Sequence, residues 1–302
     1  MYLQDKQKYN EFVYISEEDI HIKHLMLDKM HFSIRQIARI KKNDDVLTIN
    51  DKPMPKNGKI KKGDILKLVL ADEKNEYLPQ NKKLKVLYED EDLLIIDKPP
   101  FTVVHPTKSH QEDTLLNYIE YYFDQNNINS KVRFISRLDR DTSGIISVAK
   151  NSFSHYALSQ GYLSNKIKKY YTAITNSTPK EKDGVIDAPI YKDGDDIKRI
   201  IDPKGQEAIT YYDVQKASDN FSIIKLLLGT GRTHQIRVHL SHIGCPIIGD
   251  ELYNANYDPA LLNRQALHCS DLEIMSPRSE KIIKLHSDLP NDMQELINKL
   301  KK

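Results

Sequence analysis

The sequence predicts an α+β protein: a mixed, largely antiparallel sheet flanked by helices and loops, preceded by a small α+β unit. Three observations carry this. Strand-like apolar runs recur at 86–88, 93–97, 145–149, 171–175, 208–214 and 222–228. Only a few stretches between them show helical spacing, which favours α+β over a doubly wound sheet. The charge is also uneven. Residues 1–85 carry 18 Lys and Arg against 13 Asp and Glu, a net +5, while residues 86–302 sum to −3 within a total of +2. At roughly 100–200 residues per domain, 302 residues make about two domains.

The first, 1–80, begins with an amphipathic helix. Between His31 and Ile40 the apolar residues fall three and four apart, and Arg35 and Arg39, one turn apart, share a face. A strand, Val46–Asn50, follows, with Asp51 and Pro53 as turn residues. Lys62-Gly63-Asp64 then turns into a strand over 65–70. Over residues 13–75 this order resembles the S4 RNA-binding fold; a small α+β packing unit is the plainer reading. Residues 71–85, polar and containing Pro79, read as a linker that belongs to neither core.

The second domain, 86–302, holds three helices by spacing. Asp113 caps one whose inner side is Leu115, Leu116, Ile119, Tyr122 and Phe123. Another runs from Phe153 to Lys168, weakened by Gly161. Asp292 caps the last, with Met293, Leu296, Ile297 and Leu300 inward.

Several classes are excluded or disfavoured. No apolar run reaches the roughly 18 residues a membrane helix needs. The first residues lack the apolar core of a secretory signal. Two cysteines, Cys245 and Cys269, cannot make a disulfide framework and suit a reducing cytoplasm.

Two segments concentrate chemistry. In Ser136-Arg137-Leu138-Asp139-Arg140-Asp141-Thr142-Ser143-Gly144, two carboxylates and two guanidiniums fall within five positions, costly to bury unless they pair. Asp139 and Asp141 have the spacing of a metal-binding DxD, as in sugar-nucleotide transferases, but Arg137 and Arg140 would repel a divalent cation. A solvated, salt-bridged turn is the bland alternative. The second segment is Gly229-Thr230-Gly231-Arg232-Thr233-His234-Gln235-Ile236-Arg237-Val238-His239-Leu240. No Gly-Lys-Ser/Thr completes a phosphate loop. His234, His239 and His242 lack the spacing and the carboxylate or thiolate that a zinc set needs.

RLDRDTSG, KKYYTAI and GTGRTHQIRVHL with GCPIIGDELY occur in that order, between LYEDEDLLIIDKPPFTVVHP and RQALHCSDLEIMSP. Together these strings closely resemble the RluA family of RNA pseudouridine synthases, over residues 86–290, and an S4-like N-terminal domain is the arrangement of RluD-type members. The resemblance implies an isomerase that turns uridine into pseudouridine within RNA, without cofactor or metal. It places the catalytic aspartate on Asp139, the motif tyrosine on Tyr171 (with Tyr170 one register step away) and the basic residue on Arg237. Arg137 would help displace the target base, and Leu267 would line its pocket. Lys169, His234 and Gln235 fall beside these positions as substrate contacts, and Arg35 and Arg39 would meet RNA phosphate. Two positions depart from the family pattern: Ser136 stands where a histidine is usual, and Phe101 where a glycine is usual. Ribosomal RNA, most readily of the large subunit, is the expected partner and transfer RNA the alternative. The protein is expected to be a cytoplasmic monomer, not associated with membrane. A non-catalytic RNA-binding protein and a metal-dependent transferase on Asp139 and Asp141 are the readings from other classes.

Overall fold

The computed structural model describes residues 2, 8–40, 46–54, 58–73, 77–107, 110–160, 163–218 and 220–301. Among them, a ten-stranded sheet forms the larger layer. Its main path runs Asp183–Asp187, Ile209–Ala217, Ser222–Leu228, Lys168–Thr175, Leu267–Met275, Ser143–Ala149, Leu93–Lys98, Lys85–Glu89; Ile282–His286 and Arg133–Phe134 pair onto it from the side. Neighbours are antiparallel except for one short parallel pairing, Ser143–Gly144 with His268–Cys269, so the sheet is mixed and largely antiparallel. Gly144 is required there. Its φ is +109°, and a Cβ would overlap the Cys269 carbonyl. The strands on either side, Leu93–Lys98 and Leu267–Met275, are buried along most of their length, as strands covered on both faces must be.

The helices follow the apolar spacing but not the expected boundaries. The first spans Ile34–Ile40, starting later than the spacing alone places it. Ser33 and Gln36 bond each other's backbone N–H reciprocally, which sets that start. Leu115–Gln125 is capped by Thr114 rather than Asp113, in a capping box with Asn117. Asp113 instead takes a left-handed φ of 55°, and its N–H donates to Gln80. The helix from Ser152 ends at Ser159, capped at its start by Asn151; Gly161 lies outside the described residues, and the strand already begins at Lys168. The last helix, Asn291–Leu300, has Pro290 at its cap, and Asp292 in its first turn pairs with Arg264 instead.

A four-stranded sheet, ordered Glu11–Ile15, Ile65–Val69, Val46–Ile49, Lys52–Pro53, organises the first segment. Asn50 and Asp51, both at positive φ, close the hairpin between its last two strands as a two-residue turn. The apolar cluster beneath this sheet includes one residue from far along the chain. Phe153 is fully buried with its ring centroid 5.2 Å from that of Phe12 and 4.7 Å from that of Phe32. Truncating such a ring costs about 3–5 kcal/mol.

The segment expected to link two cores is in fact laid against the larger one. The Glu73 carboxylate accepts two 2.6 Å bonds from Arg133, and its N–H donates to Asn129 O at 2.9 Å. Asn117 Nδ2 donates to Leu78 O, and its backbone carbonyl accepts the Gln80 N–H. Residues 74–76 lie outside the described set. The segment is exposed over most of 77–83 and tied to the larger core at Glu73, Leu78 and Gln80.

Candidate active site

The charged loop 136–142 connects Arg133–Phe134 to Ser143–Ala149, two strands that pair, so it leaves the sheet as one rigid excursion. Its backbone is clamped by two buried cations. Lys98 Nζ donates to the carbonyls of Arg140 (2.9 Å), Pro99 (2.9 Å) and Thr102 (3.1 Å). Burial pushes its pKa down to about 7, while these three oxygens favour the ammonium. Arg264 donates to Asp141 O at 3.1 Å and holds Asp292 through two bonds of 2.6 and 2.9 Å. Within the loop, Arg140 pairs bidentately with Asp141, at 2.7 and 3.0 Å. The pairing that burial demands is therefore made, and it leaves Asp139 to look elsewhere.

Asp139 looks to Arg237. The two are joined by a 3.2 Å hydrogen bond although 98 residues separate them, and the Asp139 side chain keeps 30% of its surface open. Arg237 lies on the helix Gln235–His242 and is itself fixed from behind: Nε and Nη2 donate to the fully buried Asp250 at 2.7 and 2.8 Å. Asp250 in turn accepts the N–H groups of Leu252 and Tyr253, and the Tyr253 ring lies 5.1 Å from the guanidinium carbon. Burial opposes the charge on Arg237, but Asp250 and then Asp139 outweigh it and raise its pKa above the ordinary arginine value. One guanidinium edge is thus spent on Asp250 and the other is presented to Asp139.

His234 completes the polar side. It adopts a left-handed backbone at the start of the helix, with Nε2 3.9 Å from Asp139 and Nδ1 3.0 Å from Tyr253 Oη. Tyr253 Oη also accepts the Arg199 N–H, which ties the His234 ring to the Arg199 strand. Burial, opposed by Asp139, lowers the His234 pKa and keeps the ring neutral.

The apolar side is formed by Tyr171 and Leu267, both buried. A register shift between Tyr170 and Tyr171 against the Leu267–Met275 strand separates the two tyrosines. Tyr171 lines the cleft; Tyr170 belongs to the opposite face, with the Lys225 ammonium 5.1 Å over its ring. Burial raises the Tyr171 pKa well above its ordinary value, so it stays a phenol. Lys169, half-buried, has its ammonium pKa lowered by burial.

These residues line a cleft of about 610 Å³ that includes Arg137, exposed at its mouth, and every other position the sequence assigns to catalysis or substrate. Gln235 is the exception in role. Its amide is used up on Thr230, Arg232, Ile209 and Thr210, so it shapes the loop rather than offering itself to a substrate. His239 likewise spends both ring nitrogens, on Thr210 and Ala188 O. Arg35 and Arg39 lie outside the cleft, both exposed, with Arg39 3.9 Å from Glu73. Among the described residues, no group of three His, Cys, Asp or Glu could hold a metal ion. Sequence reading missed Lys98, Asp250 and Arg264; the available signal was a charged residue ending an otherwise apolar run, as in Ile95-Ile96-Asp97-Lys98 and Ile247-Ile248-Gly249-Asp250.

A family model for RNA pseudouridylate synthase matches residues 92–242. The chain is 35% identical over 272 residues to an uncharacterized RNA pseudouridine synthase of Bacillus subtilis, YjbO, spanning 89% of this chain and 95% of that protein. It is 38% identical over 263 residues to ribosomal large subunit pseudouridine synthase D of Buchnera aphidicola, spanning 81% and 82%. Among solved structures, human RNA pseudouridylate synthase domain containing 4 shares the fold, with a TM-score of 0.60 at 23% identity, over 72% of this chain and 93% of that one.

Proposed function

The chain belongs to the RNA pseudouridylate synthase family, and from that premise we propose that it isomerises specific uridines of large-subunit ribosomal RNA, with Asp139 as the reacting carboxylate. The ribosomal assignment draws on relatives named for the large subunit, at 35% and 38% identity. The observation that carries the role of Asp139 is its geometry: an open carboxylate held by an arginine that is anchored from behind on a second, buried carboxylate.

The reaction breaks the N1–C1′ bond of uridine and forms C5–C1′, with one proton lost from C5 and one gained at N1. An ionised carboxylate starts it, either by attacking C1′ or by taking the C2′ proton. Arg237 holds that carboxylate in place at the open side of the cleft. Tyr171 and Leu267 provide the apolar walls against which a detached uracil can turn. Because Tyr171 remains a phenol, it is an acid and a wall rather than a base, and the C5 proton falls to Asp139 once its carboxylate is free again. Extruding the base from the RNA costs a few kcal/mol, which phosphate contacts offset. Arg137, exposed at the cleft mouth, is placed to fill the vacated stack. The first segment, read as an S4-like module with Arg35 and Arg39, supplies further phosphate contacts. The reaction takes place in the cytoplasm, on a protein with no helix long and apolar enough to cross a membrane among the described residues.

Mapping pseudouridines across total RNA from cells with and without this protein tests the reading. Sites lost from large-subunit ribosomal RNA support it. Loss confined to transfer RNA would move the substrate assignment, and an unchanged map would remove the enzymatic one.

A further inference from the structure

Arg232 and Thr233 line the active-site cleft on one side and a second recess, of about 330 Å³, on the other. Lys192, Arg199 and Lys204 also line that recess, and no carboxylate does. Among the described residues, none of these four cations makes an ion pair; where their side chains are held, main-chain carbonyls hold them. Arg199 Nη1 donates to Asp196 O and Ile197 O, both at 2.9 Å, and Arg232 Nε donates to Glu207 O at 3.0 Å. A carbonyl orients a guanidinium without cancelling its charge. Residues 86–302 are net negative and the ribbon itself carries Asp193, Asp195, Asp196, Asp202 and Glu207, but none of those carboxylates lines the recess, so its lining presents only positive charge.

The walls are built, not frayed. Strand Ile190–Lys192 pairs with Arg199–Ile201. The turn after it folds back, with Gln206 N–H donating to Ile190 O at 2.8 Å and Ile190 N–H to Gln206 O at 2.9 Å. Gly205 lies against the Ile190 backbone so closely that any side chain would overlap it. Lys204 therefore rides on a fixed turn. The same ribbon reaches the reaction centre through one chain of hydrogen bonds: Arg199 N–H to Tyr253 Oη, Tyr253 to His234, and His234 to within 3.9 Å of Asp139.

We propose that this recess seats the phosphate backbone of the RNA strand flanking the target uridine, and that Lys192 and Lys204 are its principal phosphate contacts. The proposal rests on the reading of the cleft as a uridine site. Its physical content is continuity: a strand whose base enters the cleft must leave along a neighbouring surface, and this one is cationic, preformed and joined by hydrogen bonds to His234, which lies 3.9 Å from Asp139.

The test uses the full chain and an in vitro transcript of bacterial large-subunit ribosomal RNA, with affinity measured by filter binding at several salt concentrations. Lys192→Ala with Lys204→Ala should weaken binding about tenfold or more and flatten the log–log salt slope by roughly 1.4–1.8, at 0.7–0.9 per phosphate contact. Lys192→Arg with Lys204→Arg should keep both affinity and slope. Wild-type affinity and slope in the double alanine variant would overturn the proposal. So would an equal loss from Lys281→Ala with Lys299→Ala, two lysines outside the recess. Failure of the wild-type protein to make pseudouridine in any RNA would instead defeat the functional reading, while the salt slopes would still decide the recess.

Discussion

Among the described residues, two arginine–aspartate pairs are buried on both sides, and they use the same chemistry to opposite ends. Arg278 donates to the buried Asp92 at 2.9 Å and spends its remaining N–H groups on the carbonyls of Lys8, Glu11, Tyr9 and Glu91, with its guanidinium 4.5 Å over the Phe12 ring. Every direction is closed, and the result is a joint between the N-terminal sheet and the larger one. Arg237 has an equally buried partner in Asp250 but keeps one edge for Asp139, which is partly open to solvent. Glu120 is a third case: its Oε2 has no hydrogen-bond partner, and burial, opposed only weakly by Lys131, raises its pKa to about 8. Burial of an ion pair therefore says little about function. What distinguishes a site is the hydrogen-bonding capacity left over and what it faces.

The sharpest break in that comparison is expected at the open end. Asp139→Asn should reduce turnover below detection while leaving RNA affinity within about tenfold, because the amide keeps the shape and binding comes mostly from phosphate contacts. Single-turnover assays beside filter binding check this, and steady pseudouridine formation would take Asp139 out of the reaction. Next are the two arginines. Arg278→Ala should cost about 3–5 kcal/mol in urea unfolding by stranding Asp92, with kcat nearly unchanged. Arg237→Met should destabilise comparably and also lower kcat at least about a hundredfold. Adding Asp250→Leu to the latter should recover stability without recovering turnover; recovery of both would merge the two pairs into one structural class.

Glu120 sharpens the comparison through pH. Its folded pKa is raised above the unfolded value, so its contribution is fully present below about pH 4.5 and is lost as pH rises toward 8. Glu120→Gln should therefore raise Tm at pH 8 and leave it unchanged near pH 4, as calorimetry at the two pH values would show. The smallest effect belongs to the loop that Lys98 clamps. Phe101 is 51% exposed and holds a left-handed φ of 61°, a backbone conformation that glycine adopts without strain. Phe101→Gly should stabilise the chain by about 1 kcal/mol in denaturant unfolding, and a loss instead would show that the ring makes a contact worth more than the backbone strain.

The sequence by itself determined the α+β class, the apolar faces of the helices and the residues of two contiguous charged strings that line the cleft, because each depends on spacing within a short window. Asp139 and Arg237 were legible separately for that reason. Only the tertiary structure decided which of them meet. The 98-position separation of that pair, and the 13-position separation of Arg237 and Asp250, carry no periodic trace of either bond. Strand alternation sends Tyr170 and Tyr171 to opposite faces, but that the Tyr171 face meets the cleft was decided by elements distant in the chain. The caps at Thr114 and Pro290, in place of Asp113 and Asp292, were decided the same way: Gln80 and Arg264 took the two aspartates' groups from elsewhere in the chain. The polar stretch after residue 70 looked like a linker because composition records hydrogen-bonding capacity but not its partner, and at Glu73, Leu78 and Gln80 the partners are Arg133, Asn129 and Asn117.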